Sequence, residues 1–361
     1  MTLKNITEYR EQSLSGLRIT PEAIYPLIDA LNPDIFDVNE VGKSEEGRPI
    51  YRVKFGSGPK KLLLWTQMHG DESTATKSVF DLFNIVNNNM FTKVNNLLLQ
   101  KCTVYVIPML NPDGAERYTR ENAHGFDLNR DAKNLKFAEA QILIAQVKEI
   151  QPDFAFNLHD QTCYYNIDAQ PKVATMSFLA PAYDVDKSIN HSRSRAMSVI
   201  SGMVNELVHH IPGHIGRYND TYCDNCFGDT IQSLGFSTIL IECGYFPGDI
   251  NREFTRDLHT LALLEAFKII SSDELPDYNA YFEIPMNEKS FYDVLYTNIV
   301  YNEKLISIGV RYKIVYKDGE MCKIIDPEEE IIPGDSLDNY FFHDKIDAKG
   351  QSINNFLMIK I

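Results

Sequence analysis

The sequence predicts an α/β fold: a largely parallel sheet covered on both faces by helices, followed by an all-β region. Three observations predict it. Up to residue 272, short apolar runs alternate with stretches of helical spacing, as repeated β–α units do. A run such as residues 61–66 (KLLLWT) is long enough for a strand buried on both faces, the usual condition in a parallel sheet. After residue 280 the helical spacing stops, and short runs separated by turn residues take over.

Taken in order, residues 22–31 carry a short amphipathic pattern that leads into a polar turn. Residues 61–66 read as a strand. Residues 73–90 read as a helix, because Val79, Phe80, Phe83 and Val86 recur at helical spacing and Ser73 can cap it. Residues 102–110 (CTVYVIPML) are β-rich, 137–150 helical and 153–158 (DFAFNL) strand-like. A helix over 188–211, a strand over 236–241 and a helix over 256–272 complete the alternation. A linker over 273–279 divides the chain into two expected domains, 1–275 and 280–361, the second small and β-rich with runs at 306–316 and 356–361. Three loops, 111–134, 160–187 and 213–229, exceed the roughly 15 residues usual in a compact domain. Each lies after or near a strand. Ligands of open α/β sheets bind outside the carboxyl ends of strands, so the loops are expected to converge on one site.

Composition bounds the function. The 361 residues carry 50 acidic and 35 basic side chains, a formal charge of −15. That charge repels phosphate backbones and anionic membrane surfaces, so neither nucleic acid nor membrane is an expected partner. With 44% hydrophobic and 24% charged residues, the chain is expected to be globular rather than disordered. No apolar run approaches the roughly 20 residues of a membrane helix, and the N-terminus shows no apolar leader, so a cytoplasmic protein is expected. The six cysteines are scattered, and Cys223 and Cys226 are expected as two thiols in a loop.

Four elements carry chemistry. His69 and Glu72 lie three apart, just after the strand at 61–66 and before a helix, where an imidazole and a carboxylate can face one ion. Such a pair also arises by chance in surface turns. His159 ends the strand at 153–158 and supplies a third ligand, giving two histidines and a glutamate, a known catalytic zinc set. In the loop 111–134, Arg120, Asn129 and Arg130 can clamp a carboxylate and an oxyanion. Glu242 ends an apolar strand, a costly place for a carboxylate unless it is paired or at work, and it is a candidate general base.

These motifs, in this order, resemble the zinc carboxypeptidases, the carboxypeptidase A-like metallopeptidases. The match runs over residues 41–267: Ser44-Glu-Glu-Gly-Arg-Pro-Ile50, His69-x-x-Glu72, Asn111-Pro-Asp-Gly114, Arg120 nine residues before Asn129-Arg130, His159 and Glu242. The resemblance implies a mixed, mostly parallel central sheet and one zinc ion per chain on His69, Glu72 and His159. It implies that Glu242 takes a proton from zinc-bound water and later protonates the leaving amine, and that Arg120 stabilises the oxyanion. Asn129 and Arg130 would hold the substrate's terminal carboxylate, and Asp127 would orient the first zinc histidine. Tyr222 is the best match to the family's substrate-capping tyrosine, with Tyr218 the alternative.

Asp71, inside the zinc pair, departs from the digestive members and resembles bacterial cytoplasmic ones, including murein peptide amidases. The expected substrate is therefore a peptide, or an amidated amino acid, with a free carboxylate. The alternatives are a murein-peptide amidase or an N-acyl amino acid deacylase on the same zinc site, and, from another class, a catalytically silent binding protein. Asp229 would favour a basic C-terminal side chain if it lined the pocket of the loop 213–229; a turn or helix cap is its plainer role.

Overall fold

A computed structural model of the chain describes residues 3–88, 98–272 and 274–361. It falls into two compact units, Met1–Gln161 with Thr175–Met286, and Thr162–Ala174 with Asn287–Ile361. The boundary expected at 275–280 thus lies at Met286, and a short internal segment goes with the C-terminal strands.

The strands in chain order are β1 (Asp37–Lys43), β2 (Pro49–Gly56), β3 (Lys60–Trp65), β4 (Cys102–Ile107), β5 (Phe154–Asp160), β6 (Asn166–Ile167, in the second unit), β7 (Met176–Leu179), β8 (Ile215–Arg217) and β9 (Ser237–Cys243). Eight of them form one sheet in the order β1-β2-β4-β3-β5-β9-β7-β8. Strands β4, β3, β5 and β9 run parallel, and antiparallel β1, β2 and β7 make the sheet mixed.

Alternation along each strand builds two cores. Leu62 and Leu64 of β3 pack on one face with helices Thr74–Asn87, His191–Leu207 and Glu253–Ser271; Leu63 and Trp65 pack on the other with helices Ala138–Ile150 and Phe227–Ser233. Helices cover both faces, as the pattern predicts.

Elements differ from expectation where the local signal is weak. Strand β7 and strand β8 sit inside stretches read as loops, and β1, largely exposed, carries no apolar run to mark it. The strand expected over 102–110 stops at Ile107, since Pro108 has no N–H for a ladder. Ser73 occupies the N-cap of helix Thr74–Asn87 but its hydroxyl donates to Leu17 O (2.5 Å); Asp160 Oδ2 accepts from Thr74 N instead (3.1 Å). The helix end expected at Met90 and the linker residue Asp273 lie outside the described residues.

The second unit is all strand and short 3₁₀ turns. Its strands are β6, β10 (Asn287–Glu288), β11 (Phe291–Tyr301), β12 (Lys304–Val310), β13 (Tyr312–Lys317), β14 (Glu320–Ile325), β15 (Ile332–Pro333), β16 (Phe341–Asp347) and β17 (Met358–Lys360). β11 lies between β12 and β16, and β14 between β13 and β17. Val294, Tyr296, Ile299, Ile308, Val310 and Tyr312 form its own small core. The run expected at 306–316 is two strands broken at Arg311.

Candidate metal centre and active site

Strand alternation decides which side chains meet. Along β5, Phe154, Phe156 and Leu158 join the first core, so Asn157 and His159 point to the opposite face. Along β9, Ile239, Ile241 and Cys243 do the same, leaving Leu240 and Glu242 opposite. The parallel register pairs His159 with Glu242 and Asn157 with Leu240. His159 and Glu242 therefore stand side by side at the carboxyl ends of adjacent strands.

The turn after β3 delivers the other two ligands. Gln67 sits in the left-handed region (φ 48°), and its amide holds the turn: Nε2 donates to Ile19 O and Gly70 O, both at 2.9 Å, and Oε1 accepts from Thr76 Oγ1 at 2.8 Å. Asn111 joins this turn to the arginine loop, because its Nδ2 donates to Met68 O (3.1 Å) and to Glu121 O (3.2 Å). Asp113 beside it is buried and accepts from Ser44 Oγ (2.8 Å) and Arg48 Nη1 (2.6 Å), which explains why the motifs at 44–50 and 111–114 go together.

Gly70 is where the His69 turn and the helix Pro112–Arg117 touch. A Cβ there would lie 1.9 Å from the carbonyl carbon of Gly114 and 2.2 Å from Ala115 N. Gly70→Ala is therefore expected to push the turn off that backbone, costing about 1–3 kcal/mol as an overpacking change. It should also weaken zinc binding about tenfold or more through the displaced His69. A thermal melt and a zinc titration against a chromophoric chelator check both.

The three ligand candidates converge. Ligand atoms of His69, Glu72 and His159, all buried, lie within 4.8 Å of one another. His69 Nδ1 is 2.7 Å from Glu72 Oε1, and His159 Nδ1 is 2.7 Å from Glu72 Oε2. His69 Nε2 is 3.0 Å from Asp127 Oδ1, so Asp127 backs the histidine and turns its other nitrogen toward Glu72. Asp127 Oδ1 also accepts from Asn129 N (2.8 Å), which ties the ligand shell to the loop beyond it.

The electrostatics call for a cation. Two imidazole nitrogens and a carboxylate face one another in a buried space, where the carboxylate needs donors or positive charge beside it. Burial alone would lower the His69 pKa, but Glu72 and Asp127 raise it to about 9. Burial alone would raise the Glu72 carboxyl, but the two histidines pull it well below its usual range. Arg120 Nη1 also reaches into the group, 3.0 Å from Glu72 Oε1 and 3.1 Å from His69 Nδ1, while its Nη2 donates to Asp127 Oδ2 (3.1 Å). The donor set of two imidazoles and one carboxylate fits a divalent zinc ion.

Glu242 is half-buried, and its inaccessible Oε2 has no hydrogen-bond partner. Burial and the Glu72 charge push its carboxyl well above the usual range. Asp127 is held the other way: burial would raise it, but His69 and Arg120 keep it well below the ordinary carboxylate range.

The other predicted residues fall nearby with different fates. Asn129 Oδ1 accepts from Phe227 N (2.9 Å), leaving its amide NH₂ as donor. Arg130 is exposed and donates to Asn129 O (2.8 Å) and to Cys226 Sγ (3.2 Å). Tyr218 donates to Gln161 Oε1 (2.7 Å), whereas Tyr222 lies half-buried in the loop beside Cys223. Asp229 Oδ1 accepts from Cys223 N (3.2 Å), the turn role rather than an open pocket charge. Cys223 and Cys226, expected as free thiols, are joined as a disulfide; the x-x spacing brings their Cα atoms to 5.5 Å, within bonding range.

Comparison with known proteins agrees with this geometry. Residues 23–159 match the family model described as zinc carboxypeptidase. Carboxypeptidase E of Caenorhabditis elegans is 27% identical over 124 residues, 28% of this chain and 26% of that protein. Carboxypeptidase 2 of Trichophyton rubrum is 34% identical over 134 residues, 33% of this chain and 24% of that protein. The chain thus spans about a quarter of the length of these curated relatives. A metallo-carboxypeptidase structure from Burkholderia cenocepacia shares the fold, with TM-score 0.54 and 18% identity over 68% of this chain and 67% of that one. Among the described residues, no helix is long and apolar enough to cross a membrane.

Proposed function

We propose, from the premise that residues 23–159 belong to the zinc carboxypeptidase family, that the protein is a zinc-dependent carboxypeptidase hydrolysing the C-terminal amide bond of peptides. The observation that carries this reading is the convergence of His69, Glu72 and His159 within 4.8 Å, with Glu242 on the paired strand position. His69, Glu72 and His159 would hold the ion. Bound there, zinc supplies a Lewis acid that polarises a carbonyl and acidifies water.

The chain's own residues do the rest. Glu242 accepts a proton from the attacking water and delivers it to the departing amine. Arg120 places a guanidinium at the edge of the ligand group, where negative charge develops on the carbonyl oxygen. Asn129 Nδ2 and Arg130 offer donors for the substrate's terminal carboxylate, which restricts cleavage to the last residue. Tyr222, in the loop 213–229, closes over the substrate, and Asp127 keeps His69 in its ligating tautomer. The unit Met1–Gln161 with Thr175–Met286 forms the catalytic part, and Thr162–Ala174 with Asn287–Ile361 an accessory β part.

The test is zinc content together with turnover. The purified protein is expected to hold one zinc per chain, to hydrolyse peptides with a free C-terminus and to lose activity with a chelator, regaining it with zinc. Peptides amidated at the C-terminus should be cleaved at least about 100-fold more slowly, since they remove one charged partner of Arg130. A protein that bound zinc but cleaved only murein peptides or acyl amino acids would move the substrate assignment. One that bound zinc and turned over none of these would leave a binding protein.

A further inference from the structure

The pair His159 and Glu242 sits one rung from the open end of its ladder. Strand β5 ends at Asp160 and β9 at Cys243, and these two residues form the register pair that follows His159 with Glu242. Strand ends fray, because the last rung is held from one side only. Fraying here would let His159 and Glu242 drift relative to each other.

Arg252 closes that end. Its Nη1 donates to Cys243 O (2.7 Å) and its Nη2 to Gln161 O (2.8 Å), so one planar fork grips the chain just beyond Glu242 and just beyond His159. Gln161 N donates to the same Cys243 O (2.8 Å), which makes the fork an added rung of the ladder. Nη1 also lies 3.5 Å from Asp160 Oδ2. Asp160 carries the grip to the third ligand, since its N–H donates to Glu72 Oε2 (3.1 Å). Its Oδ2 accepts from Thr74 N (3.1 Å) and Thr74 Oγ1 (2.8 Å), at the start of the helix that follows the His69 turn.

The backbone at Arg252 is in the left-handed region, with φ 55° and ψ 34°, which residues with a side chain seldom enter. The turn by itself would favour glycine. It is held by other groups: Arg252 N donates to Asp249 O (3.1 Å), and Asp249 accepts from Glu253 N (2.8 Å) and Thr255 N (3.0 Å) at the start of helix Glu253–Ser271. Strain kept beside a functional site points to the side chain that it carries.

We infer that Arg252 is a positioning residue of the site. By locking the last rung of β5 and β9 it fixes the spacing of His159 and Glu242, and through Asp160 it holds Glu72 to the same frame. The inference rests on the carboxypeptidase reading, which supplies the roles of these three residues.

The experiment separates position from stability with a pair of variants. Arg252→Met removes the fork and keeps the strained backbone, whereas Arg252→Gly removes the fork and relieves the strain. Both are expected to lower kcat at saturating zinc by about 10–100-fold, with KM for the same peptide within about threefold of wild type. Both should raise the zinc Kd about tenfold, measured against a chromophoric chelator. Their stabilities should part, with Arg252→Gly melting above Arg252→Met. A kcat that recovers together with Tm in Arg252→Gly marks a purely structural arginine and overturns the inference. So does an unchanged kcat and zinc Kd in both variants. Should Arg252→Met fail to fold, Arg252→Gly against the wild type decides by the same kcat and zinc Kd. A wild type that binds zinc but cleaves no peptide removes the carboxypeptidase reading by itself. The zinc Kd then decides the inference: weaker binding in both variants upholds it, and equal binding ends it.

Discussion

Glu242→Gln is expected to lower kcat/KM by about 10³–10⁴-fold while leaving zinc content and KM nearly unchanged. The substitution keeps the shape of the side chain and its place beside His159 at the end of β9. It removes the one group in that position able to take a proton. The pH dependence sharpens the expectation. Burial and the Glu72 charge raise the Glu242 pKa, so the carboxyl keeps its proton further up the pH scale than an exposed glutamate. The basic form is lost as pH falls through the raised value, so wild-type kcat/KM should fall on the acid side and level off above it. A bound cation pulls the value back down, which places the fall lower in the zinc protein than burial alone would. The residual activity of Glu242→Gln should lack this limb. A wild-type profile flat from pH 5 to 9, or a variant within tenfold of wild type, would remove Glu242 from the base role.

How much of this was legible in the sequence depends on whether the signal is local. Strands β3, β5 and β9 announce themselves because each carries four apolar residues in a short, mostly buried run. Strand β7 does not: it has four residues inside a polar stretch, and only its pairing with β9 and β8 makes it a strand. The ligands His69, Glu72 and His159 were legible by residue type and by position at strand ends. Asp160 as the helix cap was not, because its partner Thr74 is far away in sequence and Ser73 looked sufficient. The disulfide at Cys223–Cys226 is a different case: the spacing places both thiols in one loop, but residue type and spacing do not say whether they are joined.

The second large effect is structural. Arg256→Met is expected to destabilise the protein by about 3–5 kcal/mol, the usual cost of breaking a buried ion pair by removing one partner. Arg256 is 1% exposed and Asp81 0%. Arg256 Nε and Nη2 donate to the two oxygens of Asp81, at 2.6 and 2.5 Å. Nη1 donates to Leu14 O (2.7 Å) and Nη2 to Glu11 O (3.0 Å), so this one side chain also fastens the N-terminal segment to helix Glu253–Ser271. Burial outweighs Arg256 and raises the Asp81 pKa to about 6. A carboxyl raised above its unfolded value contributes stability below that unfolded value and loses it as pH rises through the folded one. Without Arg256 the folded value rises further, so Asp81 can shed its charge in mildly acidic solution. The penalty of Arg256→Met should therefore be smaller at pH 5 than at pH 8. Adding Asp81→Leu should recover most of the loss, because no uncompensated charge remains. Urea denaturation of the wild type, both single variants and the double variant at the two pH values measures the cycle. A loss below about 1 kcal/mol for Arg256→Met, or a penalty independent of pH, would show that the pair does not bear on stability as the burial of both partners demands.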